Sequence, residues 1–450
     1  MAVKEKIKCG TAPCGVRYAL RRSSGSVAWC ALSIGTGTRN EKGYPAGTAH
    51  FVEHTMFRGT THKSARVISS YLDRLGGELN AFTTKEEIVL HATVLREDLA
   101  KAAGLLFELA TQSTFPSFEI ETERGVILDE IISYKDNPAE DVYDRFESML
   151  FAGHPLETPI LGTAASVKKI TPEMLHRFVR EKFVPERMVL SVVANMDLEK
   201  LEKKVQGIID SFADQRGASL REKKADAPGT PSLASINAPS NVTPVIPSAS
   251  HVILSATPVI LSASEESIFN KVIDKHHHEV NAVIGGFAPS LYEMPDRMVA
   301  AMLCNILGGP ASNSLLNAEL REKHGWVYGI ECNYTQYADT GVVAISFGCD
   351  KPNLDQCLAA IDKILAELRD KPLTPARLRS FRKQLLGQLA ISSEAGEAQC
   401  LALGKSMLAW GEVMPSAQLR RILESITPED IQLMAVRLFD PANLSSLVYL

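Results

Sequence analysis

Along the first hundred residues the spacing of apolar positions changes period several times. "VRYALRRS" and "SVAWCALSIG" alternate apolar with polar and β-branched residues between Gly15, Gly25 and Gly35, which predicts two strands. "ARVISSYLDRL" returns to helical spacing and stops at Gly76-Gly77, which predicts one helix ending there. "NAFTTKEEIVLHATVL" reads as strand again, and "DLAKAAGLLFELAT" as an amphipathic helix with Ala and Leu on one face.

The pattern collapses after Arg216. From Gly217 to about Asn270 the chain is rich in Ser, Ala, Pro and Thr, with a near-duplicated "VILSA" at Val252–Ala256 and Val259–Ala263. Pro244, Pro247 and Pro258 forbid a continuous helix, so this stretch reads as a flexible or extended linker. On either side of it lies a weak repeat. "ITPEMLHRFVREKFVPERMVLSVV" from Ile170 and "ITPEDIQLMAVRLFDPANLSSLVY" from Ile426 align Thr171 with Thr427, Phe183 with Phe439 and Pro185 with Pro441 at one constant offset. "LDRLGGELNAF" and "LREKHGWVYGI" stand in comparable places further back. A repeat of this length points to duplication of a whole domain.

Composition adds limits. The 450 residues suffice for two domains, and 45% apolar with 22% charged residues is ordinary for a chain that buries a core. A net charge of −5 leaves no footprint for nucleic acid or an anionic membrane. No apolar run approaches the roughly 18 residues of a membrane helix. "MAVKEKIKCGTAPCG" has no apolar core after its charges and is not read as a secretory signal. Eight scattered cysteines form neither a disulfide framework nor a zinc quartet, so reduced thiols and a cytoplasmic location are expected.

Candidate chemistry concentrates in "TAHFVEHTMFRGT", from Thr48 to Thr60. On a helix His50 and His54 project from one face and can share a cation, with Glu53 beside them. Neutral imidazoles suit zinc, and a neighbouring carboxylate can accept the proton of a water. The order HxxEH inverts HExxH and is a zinc protease signature. "EIETERGVILDEIISY" has helical apolar spacing and puts Glu123, Ile127 and Glu130 on one face. Three adjacent histidines at 276–278 cannot converge on one ion from a strand and are not read as a site.

The chain resembles the pitrilysin-like zinc peptidases (inverzincins), which include the mitochondrial processing peptidases and insulin-degrading enzyme. The likeness runs through "GTGTRNEKGYPAGTAHFVEHTMFRGT", "LGGELNAFTTKEE", "ETERGVILDEI", "HPLETPILGT" and "LREKHGWVYGI". It implies one zinc per chain, held by His50, His54 and a glutamate some 76 residues further on, the position of Glu130. It implies Glu53 as general base, Glu123 as an acidic support behind the ligands, and Asn80 and Ala81 on the edge strand along which a peptide lies. Arg321 and Tyr328 match an arginine–tyrosine pair that holds the substrate backbone and steadies the oxyanion.

With the repeat, this implies an α+β fold of two homologous domains, each an antiparallel sheet with helices packed on one face. The expected division is a catalytic domain at 1–216, the linker at 217–270, and at 271–450 a second domain without HxxEH. The expected function is a zinc metalloendopeptidase acting on extended peptides or leader segments. Two alternatives compete: a non-catalytic peptide-binding or scaffold subunit, against which the complete ligand set argues, and a single-domain lyase of the same superfamily with a cysteine ligand. A chain with half of the four domains found in longer relatives is expected to dimerise, with Arg321 and Tyr328 facing the partner's zinc; a heterodimer with a related chain is the alternative.

Overall fold

The computed structural model describes residues 7–225, 268–276 and 278–450. Six strands form the first sheet: β1 (Ile7–Thr11), β2 (Arg17–Arg22), β3 (Val27–Ile34), β4 (Glu78–Thr83), β5 (Ile88–Leu95) and β6 (Met188–Ala194), in the order β1-β2-β6-β3-β5-β4. Five form the second: β7 (Asn270–Ile273), β8 (Glu279–Ala288), β9 (Val327–Gln336), β10 (Gly341–Asp350) and β11 (Ser445–Tyr449), in the order β7-β11-β8-β10-β9. Without β1 the two orders superpose strand for strand. Each sheet is antiparallel except for one parallel pair, β2 with β6 and β7 with β11, at equivalent places. The duplication read from the repeat is therefore a duplication of topology.

The repeat also explains itself locally. Helices Pro172–Lys182 and Pro428–Leu438 each begin with proline after a threonine N-cap. Thr171 Oγ1 accepts from the Met174 N–H at 3.4 Å and Thr427 Oγ1 from the Asp430 N–H at 3.1 Å. Each helix then leads through a short 3₁₀ turn, Pro185–Arg187 or Pro441–Asn443, into the strand that pairs in parallel, β6 or β11.

Helices cover both faces of each sheet, one more layer than expected, because the halves exchange helices. Strand β6 shows why its sequence is a continuous apolar run: Met188, Leu190, Val192 and Ala194 face the core of the first half, while Val189 and Val193 face the other way. The second face is closed by helix Gly396–Trp410 from the C-terminal half, through Cys400, Leu403 and Met407. Gly404 lets that helix come close, since a Cβ there would meet Ser33 Oγ at 2.5 Å. Reciprocally, helix Pro138–Leu150 of the N-terminal half lays Val142, Phe146 and Leu150 on Val283, Val342, Ala344, Leu447 and Tyr449 of the second sheet.

Four boundaries differ from the sequence expectation. Helix Leu198–Ala225 runs nine residues past Arg216, because a lone Gly217 is tolerated inside a run of good helix formers. Residue 270 begins β7, so within 217–270 only 226–267, including both VILSA copies, lies outside the described residues. "ARVISSYLDRL" forms helix Ala65–Ser69 and then a separate 3₁₀ turn, Asp73–Leu75, with Gly76 closing it at φ 66. The Ser70 hydroxyl donates to the Arg66 carbonyl at 3.0 Å, the local competition that ends helices at serine. "NAFTTKEEIVLHATVL" splits into β4 and β5, because Thr84 Oγ1 accepts from the Glu86 and Glu87 N–H groups and turns the chain.

Because each half completes the other's sheet, both should unfold together. Phe146→Ala is expected to cost about 3–5 kcal/mol and to raise amide exchange in β8 and β11 as much as in its own helix. Exchange confined to residues 138–150 would show that the halves are independent.

Candidate metal centre

The motif helix, Thr48–Met56, starts at Gly47, whose φ of 87 suits glycine and whose missing Cβ would meet the Leu161 carbonyl oxygen at 2.7 Å. No side chain of the N-cap residue caps it. Instead the buried carboxylate of Glu41 accepts from the N–H groups of Gly47 at 2.9 Å and Ala49 at 2.7 Å, an acid placed at the positive end of the helix. Burial outweighs those donors and pushes the Glu41 carboxyl up to about 8. Ala49, Phe51, Val52 and Met56 fill the first core, which fixes the roll of the helix and turns His50 and His54 to a common side.

The second element is the glutamate helix, Ser117–Lys135, anchored in the same core by Ile120, Ile127 and Ile131. It brings Glu130 to both imidazoles: Oε2 lies 3.7 Å from His50 Nε2 and 3.5 Å from His54 Nε2. The ligand atoms of His50, His54 and Glu130 all fall within 4.8 Å of one another, and they form the one such cluster among the described residues. Glu123 stands two helical turns earlier, almost wholly buried, and accepts the Nδ1–H of His54 at 3.2 Å. That contact selects the tautomer with the Nε2 lone pair free toward Glu130. Arg58, just beyond the motif helix, balances the Glu123 charge.

Three observations test whether these residues fit a zinc ion. Glu130 Oε2 is buried without a hydrogen-bond donor, a costly condition for a carboxylate oxygen that a cation would relieve. Burial, reinforced by the neighbouring His54, pushes His50 down to about 3 and keeps it the neutral donor that a metal requires. Tetrahedral bonds of about 2.0–2.1 Å would set ligand atoms about 3.3–3.4 Å apart, close to the two Glu130 separations. The site fits zinc.

Glu53 belongs to the same helix but not to the cluster. Its Oε2 accepts from the Thr83 hydroxyl at 2.8 Å, and burial raises its carboxyl above the ordinary value while Thr83 and His54 pull it back. Thr83 ends β4, the outermost strand of the first sheet, which also carries exposed Asn80 and half-buried Ala81; both therefore stand on an open edge. Arg321 and Tyr328 lie in the second half, Arg321 in the π-helical turn Asn317–Lys323 and Tyr328 on the edge strand β9. Both are exposed, and the Tyr328 hydroxyl donates to Asp350 at 2.7 Å. Among the described residues no hydrogen bond or ion pair joins either to the metal cluster. His276 turns to Asp274 at the surface, apart from any cluster, and His277 lies outside the described residues.

Glu41, Arg58 and Thr83 escaped sequence reading. Arg58 and Thr83 stand inside the quoted motifs, and alternation along β4 puts Thr83 on the face of Ala81, but their partners are 65 and 30 positions away.

Fold and site together define a duplicated α+β chain with an inverted zinc-protease motif in its first half. The chain belongs to peptidase family M16. Residues 17–164 match the family described as insulinase (peptidase family M16), and residues 169–385 match the one described as peptidase M16 inactive domain. An uncharacterized zinc protease of Bacillus subtilis is 28% identical over 440 residues, 96% of each chain. Another, of Streptomyces coelicolor, is 28% identical over 399 residues, 89% of this chain and 80% of its own. The crystal structure of a protease from Helicobacter pylori shares the fold at a TM-score of 0.82 and 18% identity, covering 99% of this chain and 100% of that one. No helix among the described residues is long and apolar enough to cross a membrane.

Glu123→Gln, which keeps the shape but loses the charge behind His54, should weaken zinc binding about 10–100-fold in competition with a fluorescent chelator. Unchanged affinity would mean that another group orients His54.

Proposed function

We propose that the chain is a zinc metalloendopeptidase acting on extended peptides, with one ion held by His50, His54 and Glu130. The observation that carries the reading is the buried Glu130 Oε2, unpaired and facing two imidazoles, while Glu53 is kept out of the cluster by Thr83. A carboxylate beside, rather than within, a ligand set is what a general base needs. Zinc there supplies Lewis acidity toward water and the scissile carbonyl.

Glu53 takes the proton of the attacking water as the new C–O bond forms, and returns it to the amine nitrogen as the C–N bond breaks. The open edge of β4 at Asn80 and Ala81 offers backbone groups to an extended peptide, so affinity comes from main-chain hydrogen bonds and sequence preference is loose. Leader segments and peptide fragments are suitable substrates. The eight free cysteines, six of them buried, suit a reducing cytoplasm. Arg321 and Tyr328, exposed and unconnected to the cluster in their own chain, act in this reading across a symmetric homodimer, each pair serving the partner's site.

Purified protein should carry about one zinc per chain, lost on chelation together with activity and weakened severely by Glu130→Gln. Full zinc occupancy in a His50→Ala/His54→Ala double variant would refute the ligand set. Glu53→Gln should keep zinc and lose about 10²–10⁴-fold in turnover, measured by mass spectrometry on a mixture of peptides. Near-normal turnover would put the base elsewhere, and peptide binding without cleavage by the wild type would favour a scaffold subunit.

Assembly is tested by complementation. Glu53→Gln and Arg321→Ala should each be nearly inactive, whereas refolding them together should create one intact site per mixed dimer and restore activity. A flat result from a verified mixed dimer would exclude shared sites.

A further inference from the structure

Thr83 is the last residue of β4 and pairs with Ile88 of β5. Its hydroxyl donates to Oε2 of Glu53 at 2.8 Å, joining the edge strand to the motif helix. Its branched Cβ leaves few χ1 rotamers, so the hydroxyl has a defined direction. The backbone beyond it is held from several sides. The N–H groups of Thr38 and Arg39 donate to the carbonyls of Thr84 at 3.2 Å and Lys85 at 2.9 Å. The buried Lys85 ammonium donates to the Leu156 and Thr158 carbonyls at 2.9 and 2.7 Å.

The second half of the chain adds a clamp. The tip of the β9–β10 hairpin reaches this turn, where the Ala338 N–H donates to Glu86 Oε1 at 3.0 Å. Arg39 bonds Glu86 and, through both terminal nitrogens, Asp339 at 3.0 and 2.6 Å. A planar fork on a carboxylate fixes orientation as well as distance. Thr83 is therefore a fixed point to which a flexible glutamate is tied.

The terminal torsion of glutamate is broad and roughly two-fold, so an untethered Glu53 would sample many carboxylate planes. The Thr83 bond engages Oε2, and among the described residues no hydrogen bond engages Oε1. We propose that Thr83 is a positioning residue: it fixes the plane of the Glu53 carboxylate so that Oε1 meets the attacking water, and it ties the aim of that oxygen to the strand on which a peptide lies. The inference rests on Glu53 being the base. Seating a peptide along β4 would then stiffen the strand that aims the proton acceptor, so substrate placement and base placement share one element.

The test compares Thr83→Val, which keeps the shape and removes the hydroxyl, with Thr83→Ser, which keeps the hydroxyl. Zinc content and melting temperature are checked in each, and kcat and KM are measured on an internally quenched peptide. Thr83→Val should lose about 10–100-fold in kcat with KM within about twofold. Thr83→Ser should recover kcat to within about threefold of wild type, since the donor is restored. Wild-type kcat in Thr83→Val, or equal loss in both variants, would overturn the proposal.

A second readout needs no turnover. The infrared difference between wild type and Glu53→Gln, both metal-free, isolates the Glu53 carboxylate stretch; the same difference taken in the Thr83→Val background should be shifted, and in Thr83→Ser unshifted. An unshifted band in Thr83→Val would overturn the tether. Should the wild type cleave no peptide, the reading of Glu53 as base fails, and the infrared comparison still decides the Thr83 contact by itself.

Discussion

Everything at this site follows from one conflict: a helix that must be buried carries three ionisable groups. Ala49, Phe51, Val52 and Met56 belong to the core of the first half, so His50, Glu53 and His54 are drawn inward with them. Each needs a partner that water would otherwise supply. His54 finds Glu123, Glu123 finds Arg58, and Glu53 finds Thr83. Glu130 Oε2, between the two imidazoles, finds none. His50 Nδ1 is likewise left without a partner. The deficit at Glu130, which faces both imidazoles, is shaped for a cation.

The same economy shapes the larger architecture. A sheet of strands apolar on both faces requires two covering layers, and each half supplies only one to itself. Helices Gly396–Trp410 and Pro138–Leu150 cross over to close the remaining faces. Only Asp136 and Asn137 separate the glutamate helix from Pro138, so the segment that carries Glu123 and Glu130 leads directly into the helix seated on the second sheet. The second half, which holds no metal cluster among its described residues, thus braces the helix that brings Glu130 to the two imidazoles.

How much of this was legible depended on range. Strand and helix types came from periodicity, and the duplication from one constant offset, because both are local patterns. The His50–His54–Glu130 cluster was legible because the two histidines are neighbours on one helix, and because the family resemblance implied a glutamate at the position of Glu130. What escaped was tertiary. Nothing near Glu41 says that its carboxylate will accept the first N–H groups of a helix, and nothing near Thr83 names Glu53. The helix exchange was invisible for the same reason: the second face of a strand shows that something covers it, but not what. The break within "ARVISSYLDRL" was local and still missed, since hydrophobic spacing continues across a serine pair whose hydroxyl bonds back to the chain.

Duplication leaves two equivalent edge strands, β4 and β9, and the chain has given them different work. Strand β4 ends against the motif helix, so its last side chain can reach Glu53. Strand β9 follows the π-helical turn that bears Arg321 and carries Tyr328 outward into solvent. Between them, the β9–β10 hairpin tip bonds to the β4–β5 turn through Arg39, Glu86 and Asp339. The two edges are thereby parts of one framework. The turn that follows Thr83 is also the point where the second half grips the first. A displacement of either domain that breaks this grip would act first on the strand end that holds Glu53, and only afterwards on the histidines, which are fixed by the core beneath their helix. The cluster and the Glu53 carboxylate therefore depend on different parts of the fold: the histidines on one hydrophobic core, the carboxylate on the seam between two.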